Sequence, residues 1–311
     1  MTHEKYQRLV DTARTLPPVV TAVAHPCDAS SLSGAIDAAK LGLIVPILVG
    51  PKAKIDAVAL ACSLDISGYE HIDAPHSHAA AALAVELVRA GRAEALMKGS
   101  LHTDELMGAV VRPDTGLRTE RRISHCFVMD VPAHGDALII SDAAVNIAPT
   151  LADKVHIVQN AIDLAHALRF DAVRVAILSA METVNPQVPS TIEAAALCKM
   201  AERGQITGGL LDGPLALDNA ISLEAAQIKN INSPVAGRAN VLIVPDLEAG
   251  NMLAKSLSFL AKADSAGIVL GARVPIILTS RADTVMARLA SCAVAVFVAQ
   301  ARREQAAKAI A

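Results

Sequence analysis

Tryptophan is absent from the 311-residue chain, and phenylalanine and tyrosine together make up only 2% of it. A core without aromatic anchors must be built from Ala, Val, Leu and Ile, the composition of Ala-rich helices laid on Val/Ile-rich parallel strands. The same scarcity removes base stacking. A net charge of −3 with scattered Lys and Arg removes the electrostatic case for nucleic acid. The five cysteines, Cys27, Cys62, Cys126, Cys198 and Cys292, are odd in number, widely spaced and form no CxxC. That pattern excludes a disulfide framework and a cysteine zinc site, and it fits reduced thiols in the cytoplasm. The start, Met1-Thr-His-Glu-Lys-Tyr6, carries no apolar signal core. Apolar tracts are interrupted by Pro, Gly or charge before the roughly 20 residues that a bilayer requires. The expectation is a cytoplasmic protein with no membrane partner.

Several catalytic signatures are missing too. No GxGxxG follows a strand, and there is no Walker loop, GxSxG or HExxH. His71, Asp73, His76 and His78 lie close together, but their spacing matches no common ligand set and they lead from a loop into a helix, so no metal is expected.

Against these absences stand 53% hydrophobic and 19% charged residues, a balance that excludes disorder. Apolar runs such as Val19–Ala24, Leu43–Val49, Ala93–Met97, Arg174–Leu178, Gly208–Leu211, Asn240–Val244 and Pro275–Leu278 read as strands. Helical stretches of about 10–15 residues alternate with them, which predicts βαβ units and a mostly parallel sheet. Ser124–Asp130 and Ala137–Ile140 read as two adjacent strands joined by a turn. The return to βα alternation after them places a domain break near residue 143. The expected organisation is an α/β, two-domain, three-layer sandwich: residues 1–143 with 284–311 form one domain and 144–283 the other. The final helix, expected over about Ala282–Ala301, returns to the first domain.

The polar residues gather where strands end, the edge at which open α/β sheets bind ligands. After Gly208–Leu211 comes Asp212-Gly213-Pro214, with Asp218 and Asn219 just beyond. Gly213 permits a turn, Pro214 is read as ending the strand, and Asp212 then stands at its carboxyl end. A tight turn before a capped helix explains the same residues. Lys98-Gly99-Ser100-Leu-His102-Thr103 follows another strand. Gly99 exposes backbone N–H groups, Thr103 caps the next helix, and an anion site or a plain capped loop fits equally. Arg118, Arg121 and Arg122 lead into Ser124-His125, either an exposed basic loop or a phosphate-gripping group. Asp142 and Asn146, and Asp246 with Asn251, follow two further strands, where they line a cleft or cap helices. Ser280, Arg281 and Asp283 form a compact anion-and-base set after the last strand.

Together, Lys98–Leu106, Arg122-Ile-Ser-His125, Asp212–Ala220 and Pro245–Asn251 resemble, in order and over nearly the whole chain, the phosphate acetyltransferase and phosphate butyryltransferase family. The wording Ala216–Ala220 and Thr279–Asp283 looks more like the butyryl branch. It is also similar to the transferase half of fusions with an enoyl-CoA hydratase, of which no hydratase half is present. The resemblance implies two α/β domains with a cleft between them, a fold shared with isocitrate and isopropylmalate dehydrogenases, and a homodimer. It implies no metal or nicotinamide cofactor. The implied reaction interconverts acyl-CoA plus phosphate with acyl phosphate plus CoA. One departure stands out: the Ser-Arg pair and following Asp of the acetyl branch align with Ala287, Arg288 and Val294 here.

On that resemblance, a carboxylate takes the proton of the CoA thiol, whose ordinary pKa is about 8.5. Asp283 is expected to be this base, with Asp212 as the alternative. Arg281, with Arg288 or Arg122, holds the phosphate, and Ser280 donates to the carbonyl or phosphate oxygen. Lys98, Gly99, Ser100, His102, Thr103, Ser124, Asp142, Asn146, Gly213, Pro214, Asp218, Asp246 and Asn251 are the expected substrate-binding set. CoA is the nucleophile, so neither a covalent enzyme intermediate nor a cysteine is needed. Two competing readings are a dehydrogenase on the same fold and a CoA-binding or acyl-phosphate-sensing module without catalysis.

Overall fold

The protein is described here by a computed structural model over residues 4–279 and 283–310. In chain order the elements are α1 (Glu4–Ala13), β1 (Val19–Ala24), α2 (Ala29–Lys40), β2 (Ile44–Gly50), α3 (Lys52–Ala61), β3 (Glu70–Asp73), α4 (Ser77–Arg89), β4 (Ala95–Lys98) and α5 (Thr103–Val110). There follow β5 (Ser124–Asp130), β6 (Leu138–Ser141), α6 (Leu151–Ala167), β7 (Arg174–Leu178), α7 (Pro189–Glu202), β8 (Leu210–Leu215), α8 (Leu217–Ile221), α9 (Leu223–Ile228) and β9 (Val241–Ile243). The chain closes with α10 (Leu247–Leu260), β10 (Asp264–Leu270), β11 (Ile276–Ile277) and α11 (Val285–Ile310).

Two compact units divide at Arg121/Arg122 and at Ser265/Ala266, not near residues 143 and 284. The reason is non-local pairing. The β5–β6 pair is antiparallel, and β6 continues by parallel pairing onto β9, a hundred residues away. Both strands therefore belong with the middle of the chain.

In the unit made of the N- and C-terminal segments, the strands run β3-β2-β1-β4-β11-β10. All are parallel except β10, which meets β11 antiparallel. From β1 to β3 the chain steps one way, and from β3 to β4 it steps back. Right-handed crossovers then send α2 and α3 to one face and α4 to the other. Consistent with this, α2 packs on α11 while α4 packs on α5. The order reverses between β1 and β4, the kind of crevice where ligands bind in open sheets. The interior is aliphatic, as composition demands: Val19, Ala22, Val23, Ala24, Leu48, Leu96 and Met97 are fully buried. Pro46 is tolerated within β2 because the β3 ladder begins only at Ile47.

The last helix is longer than its apolar pattern suggested, Val285–Ile310. By length and composition it could cross a membrane, yet 67% of its most apolar 18-residue window is buried inside the protein, as in a core helix. Arg303 fastens it to the sheet, pairing with Glu94 and donating to the carbonyls of Pro17 and Pro18.

In the central unit, β5-β6-β9-β7-β8 form the sheet, with β6, β9, β7 and β8 parallel. Met129, Ile140, Ala176, Leu215, Leu242 and Val244 centre its core, with Leu253 and Leu257 of α10 packed against them. Lys154 of α6 is 4% exposed and pairs with Glu193 of α7, which joins the two helices. Strand β8 does not stop before Pro214. It runs from Leu210 to Leu215, through a cis Gly213–Pro214 bond. As the edge strand, β8 tolerates a proline that donates no ladder hydrogen bond.

Candidate active site

Strand direction brings four of the expected residues together in the central unit. Because β5 and β6 are antiparallel, with Cys126 opposite Ser141, the start of β5 meets the end of β6. Arg122 and Ser124 therefore meet Asp142 and Asn146. Asp142, 2% exposed, accepts from the backbone N–H of Ala144 (3.0 Å), Val145 (3.1 Å) and Asn146 (3.2 Å), and from Asn146 Nδ2 (2.6 Å). Asn146 Nδ2 also donates to the Ile123 carbonyl (2.9 Å), while its Oδ1 accepts from Arg122 Nε (2.8 Å). Arg122 Nε lies 3.5 Å from Asp153 Oδ1, and the Arg122 side chain remains 54% exposed. The Ser124 hydroxyl is fully buried and accepts from Asn160 Nδ2 (2.8 Å), which also donates to the Arg122 carbonyl (2.9 Å). Asn160 and Asp153 were not singled out from sequence. The available signal for Asn160 is a polar residue on the apolar face of α6, where Ile157, Ala161 and Leu164 are buried.

Asp142 and Ser124 thus spend their oxygens inside the protein, and the cleft-lining role expected for Asp142 becomes a turn-closing one. Asp246 caps α10, accepting from Ala249 N–H (2.8 Å), and Asn251 Nδ2 donates to the Ala143 carbonyl (3.3 Å). Gly250 makes this approach possible, since a Cβ there would lie 2.8 Å from the Asp142 carbonyl oxygen. Next to the network, His125 is buried without a partner for Nδ1. Burial pushes its pKa down to about 4, against a smaller opposing pull from Asp142. Its ring meets Phe127 edge-on at 4.4 Å.

The Asp212 cluster is dispersed. Asp212 lies within β8, in register with Ala176, and accepts from its neighbour Gly213 N–H (2.8 Å). It is not at a strand end. Gly213 packs against β7, where a Cβ would come 2.7 Å from the Ile177 carbonyl oxygen. The true end of β8 leads into α8, where Asp218 is exposed and Asn219 is fully buried. Asn219 Nδ2 reaches Glu182 (3.4 Å), which pairs with Lys229 (3.0 Å).

In the other unit, Lys98–Thr103 lies beside the end of β1, at the topological reversal. Its first amides are not open to an anion. Gly99 N–H donates to the Ala24 carbonyl (2.9 Å), and Ser100 N–H donates to that of His25 (2.9 Å). The Ser100 hydroxyl donates to the His25 carbonyl (2.8 Å) and accepts from Cys27 N–H (3.3 Å); the His25 Nδ1 lies 3.0 Å away. His25 itself takes a left-handed backbone, φ 56°. Gly99 is there to let strands approach: a Cβ would lie 2.3 Å from the Ala24 oxygen. Lys98 is 7% exposed and donates to the Gly99 carbonyl (3.3 Å). The cap of α5 is His102, not Thr103. Its N–H donates to Glu105 (3.0 Å), and Thr103 is the first helical residue.

Arg288, in the first turn of α11, is 7% exposed and lies across Gly34 of α2, where a Cβ would come 2.9 Å from its Cδ. Asp283 is half-buried just before that helix. Ser280 and Arg281 lie outside the described residues. Among the described residues, no group of three or more His, Cys, Asp and Glu side chains is arranged to hold a metal. His71 contacts the Gly50 carbonyl, and His76 caps α4. All five cysteines are free. Burial pushes Cys126, Cys198 and Cys292 up to about 12, and Cys27 up to about 11. Such thiols stay protonated at neutral pH and are poor nucleophiles.

A buried lysine at the end of β4, where one parallel sheet reverses its order, and in the central unit an arginine fixed beside the end of β6 are positions at which α/β enzymes hold anionic substrates. The family model described as Phosphate acetyl/butaryl transferase matches residues 76–296, and the chain belongs to that family. It is 68% identical over 299 residues to a phosphate acetyltransferase of Rhizobium meliloti, covering 96% of this chain and 95% of that protein. It is 40% identical to a phosphate butyryltransferase of Clostridium beijerinckii, over 95% of this chain and 98% of that one. The crystal structure of a branched-chain phosphotransacylase from Enterococcus faecalis V583 superposes with a TM-score of 0.78 at 30% identity, covering 90% and 99% of the two chains.

Proposed function

We propose that the protein interconverts acetyl-CoA plus phosphate with acetyl phosphate plus CoA. That it is a phosphate acyltransferase follows from its family. The acetyl assignment rests on one observation: identity of 68% to a phosphate acetyltransferase against 40% to a butyryltransferase, each across nearly the full chain. This reverses the butyryl leaning of Ala216–Ala220 and Thr279–Asp283.

In the acetyl-CoA-forming direction the CoA sulfur attacks the carbonyl carbon of acetyl phosphate and the thiol proton passes to a carboxylate. The bond from that carbon to the phosphate oxygen then breaks, and phosphate leaves with the electron pair. Asp283 is our choice for the base, because Asp212 lies within a strand beside α7. Arg281 and Arg288 would carry the phosphate charge, with Ser280 donating to the oxyanion. Arg122 would grip a phosphate group as a guanidinium fork. The reaction needs no cofactor beyond CoA as substrate.

A homodimer is also proposed. Met252, Phe259 and Leu260 of α10 stand 62%, 79% and 83% exposed at a spacing that puts them on one side of the helix.

The test is release of free CoA from acetyl-, propionyl- and butyryl-CoA, with and without phosphate. Phosphate-dependent release that is fastest with acetyl-CoA is expected. Release fastest with butyryl-CoA would overturn the acetyl assignment. CoA binding without release would favour a sensing module.

A further inference from the structure

We propose that Asn146 is a positioning residue: it holds Arg122 ready to grip a phosphate group, and so touches no substrate itself. The inference rests on the acyl-transfer reading above.

Arg122 is fixed at its main chain and at Nε. Asn160 holds its carbonyl at 2.9 Å, and Asn146 Oδ1 accepts from its Nε at 2.8 Å. Asn146 cannot turn over. Both of its Nδ2 hydrogens are committed, to Asp142 Oδ2 at 2.6 Å and the Ile123 carbonyl at 2.9 Å. A flipped amide would set its oxygen against two acceptors and its nitrogen against Nε. Asp142 is held in turn by three backbone amides. The chain from buried backbone to guanidinium has no slack.

The fork is left over. Asp153, the nearest carboxylate, faces Nε at 3.5 Å and also accepts from Thr150. Among the described residues the two terminal nitrogens of Arg122 make no hydrogen bond, on a side chain 54% exposed. An arginine needed only for structure would be expected to spend its fork. One clamped at Nε with the fork open is prepared for a bidentate oxyanion, and the ordering cost is met before binding. Inorganic phosphate and the phosphates of CoA share that chemistry.

A double-mutant cycle tests this with Asn146→Ala, Arg122→Ala and both together. KM is measured separately for inorganic phosphate and for acetyl-CoA, and folding is checked by thermal melting. Asn146→Ala is expected to raise one of the two KM values about tenfold with kcat changed less than threefold, and to add nothing in the Arg122→Ala background. The KM that moves identifies the phosphate that is bound. Equal effects of Asn146→Ala with and without Arg122, or no rise in either KM, would overturn the proposal. If Asn146→Ala melts early, Arg122→Lys replaces it: a lysine lacks Nε and should lose the clamp, so wild-type KM values in that variant would also overturn it. If the wild-type protein releases no CoA, the acyl-transfer reading fails first. The same cycle on the dissociation constant for CoA then decides the clamp, and additive losses there would overturn it.

Discussion

Single side chains in this protein are governed by backbone they touch. Gly99 is the sharpest case, because a Cβ would meet the Ala24 and His25 oxygens at 2.3 and 2.5 Å. Both oxygens are main chain, and both accept hydrogen bonds from the Gly99–Ser100 segment. Gly99→Ala should cost about 3 kcal/mol, the upper range for overpacking. Gly68→Ala, with open space around it, should stay within about 0.5 kcal/mol. Urea denaturation compares them, and equal midpoints would contradict the packing argument. His125 makes a pH prediction. Unfolded, it takes a proton near pH 6.5; folded, only near pH 4. Between these values the unfolded chain binds more protons, so stability rises with pH. The contribution is complete above pH 6.5 and falls away as pH drops toward 4, by about 3 kcal/mol for a buried imidazole. His125→Gln should flatten the fall in urea midpoint between pH 7 and 4.5, and an unchanged slope would show that another group is responsible.

Helix ends and strand edges carry the next level. Thr150 caps α6 reciprocally: its hydroxyl accepts from Asp153 N–H (3.2 Å), and its own N–H donates to Asp153 Oδ2 (3.0 Å). Thr150→Ala should lower stability by about 1 kcal/mol in thermal or urea unfolding; no change would mean that Asp153 holds the first turn alone. Caps like this one are local, and they show where sequence is readable. The apolar runs of β1, β2, β4, β7 and β9 stand out because each is buried on both faces. What escapes reading is set by distant partners. Pro214 looks like a strand stop, and becomes an edge residue only because β8 ends the sheet. Gly99 looks like an open amide cradle, and its N–H is closed only because β1 runs alongside β4. Arg122, Ser124, Asp142 and Asn146 were each legible as candidates. Their meeting was not, since it depends on the antiparallel register of β5 on β6. Asn160 stands out only as a polar residue on an apolar helix face, and its role was hidden for the same reason, since its partners lie 36 and 38 residues away.

At the scale of the whole molecule, composition decides how surfaces are used. With only four phenylalanines in the chain, one left 79% exposed is costly unless something covers it. Phe259 stands seven residues from Met252 and next to Leu260, and Met252 and Phe259 share a face turned away from the one that Leu253 and Leu257 present to the core. A second copy of the chain is the partner that a homodimer supplies, and a pair of such patches would bury aliphatic and aromatic surface while leaving each fold intact. Phe259→Glu places a charge at the middle of this patch without touching the interior. Its unfolding free energy should stay within about 0.5 kcal/mol of wild type when the unfolding of separated chains is compared. Light scattering coupled to size exclusion should then report a dimer for the wild-type protein and a monomer for the variant. A wild-type monomer would dismiss the dimer. A dimeric Phe259→Glu would keep the dimer and move its interface away from α10.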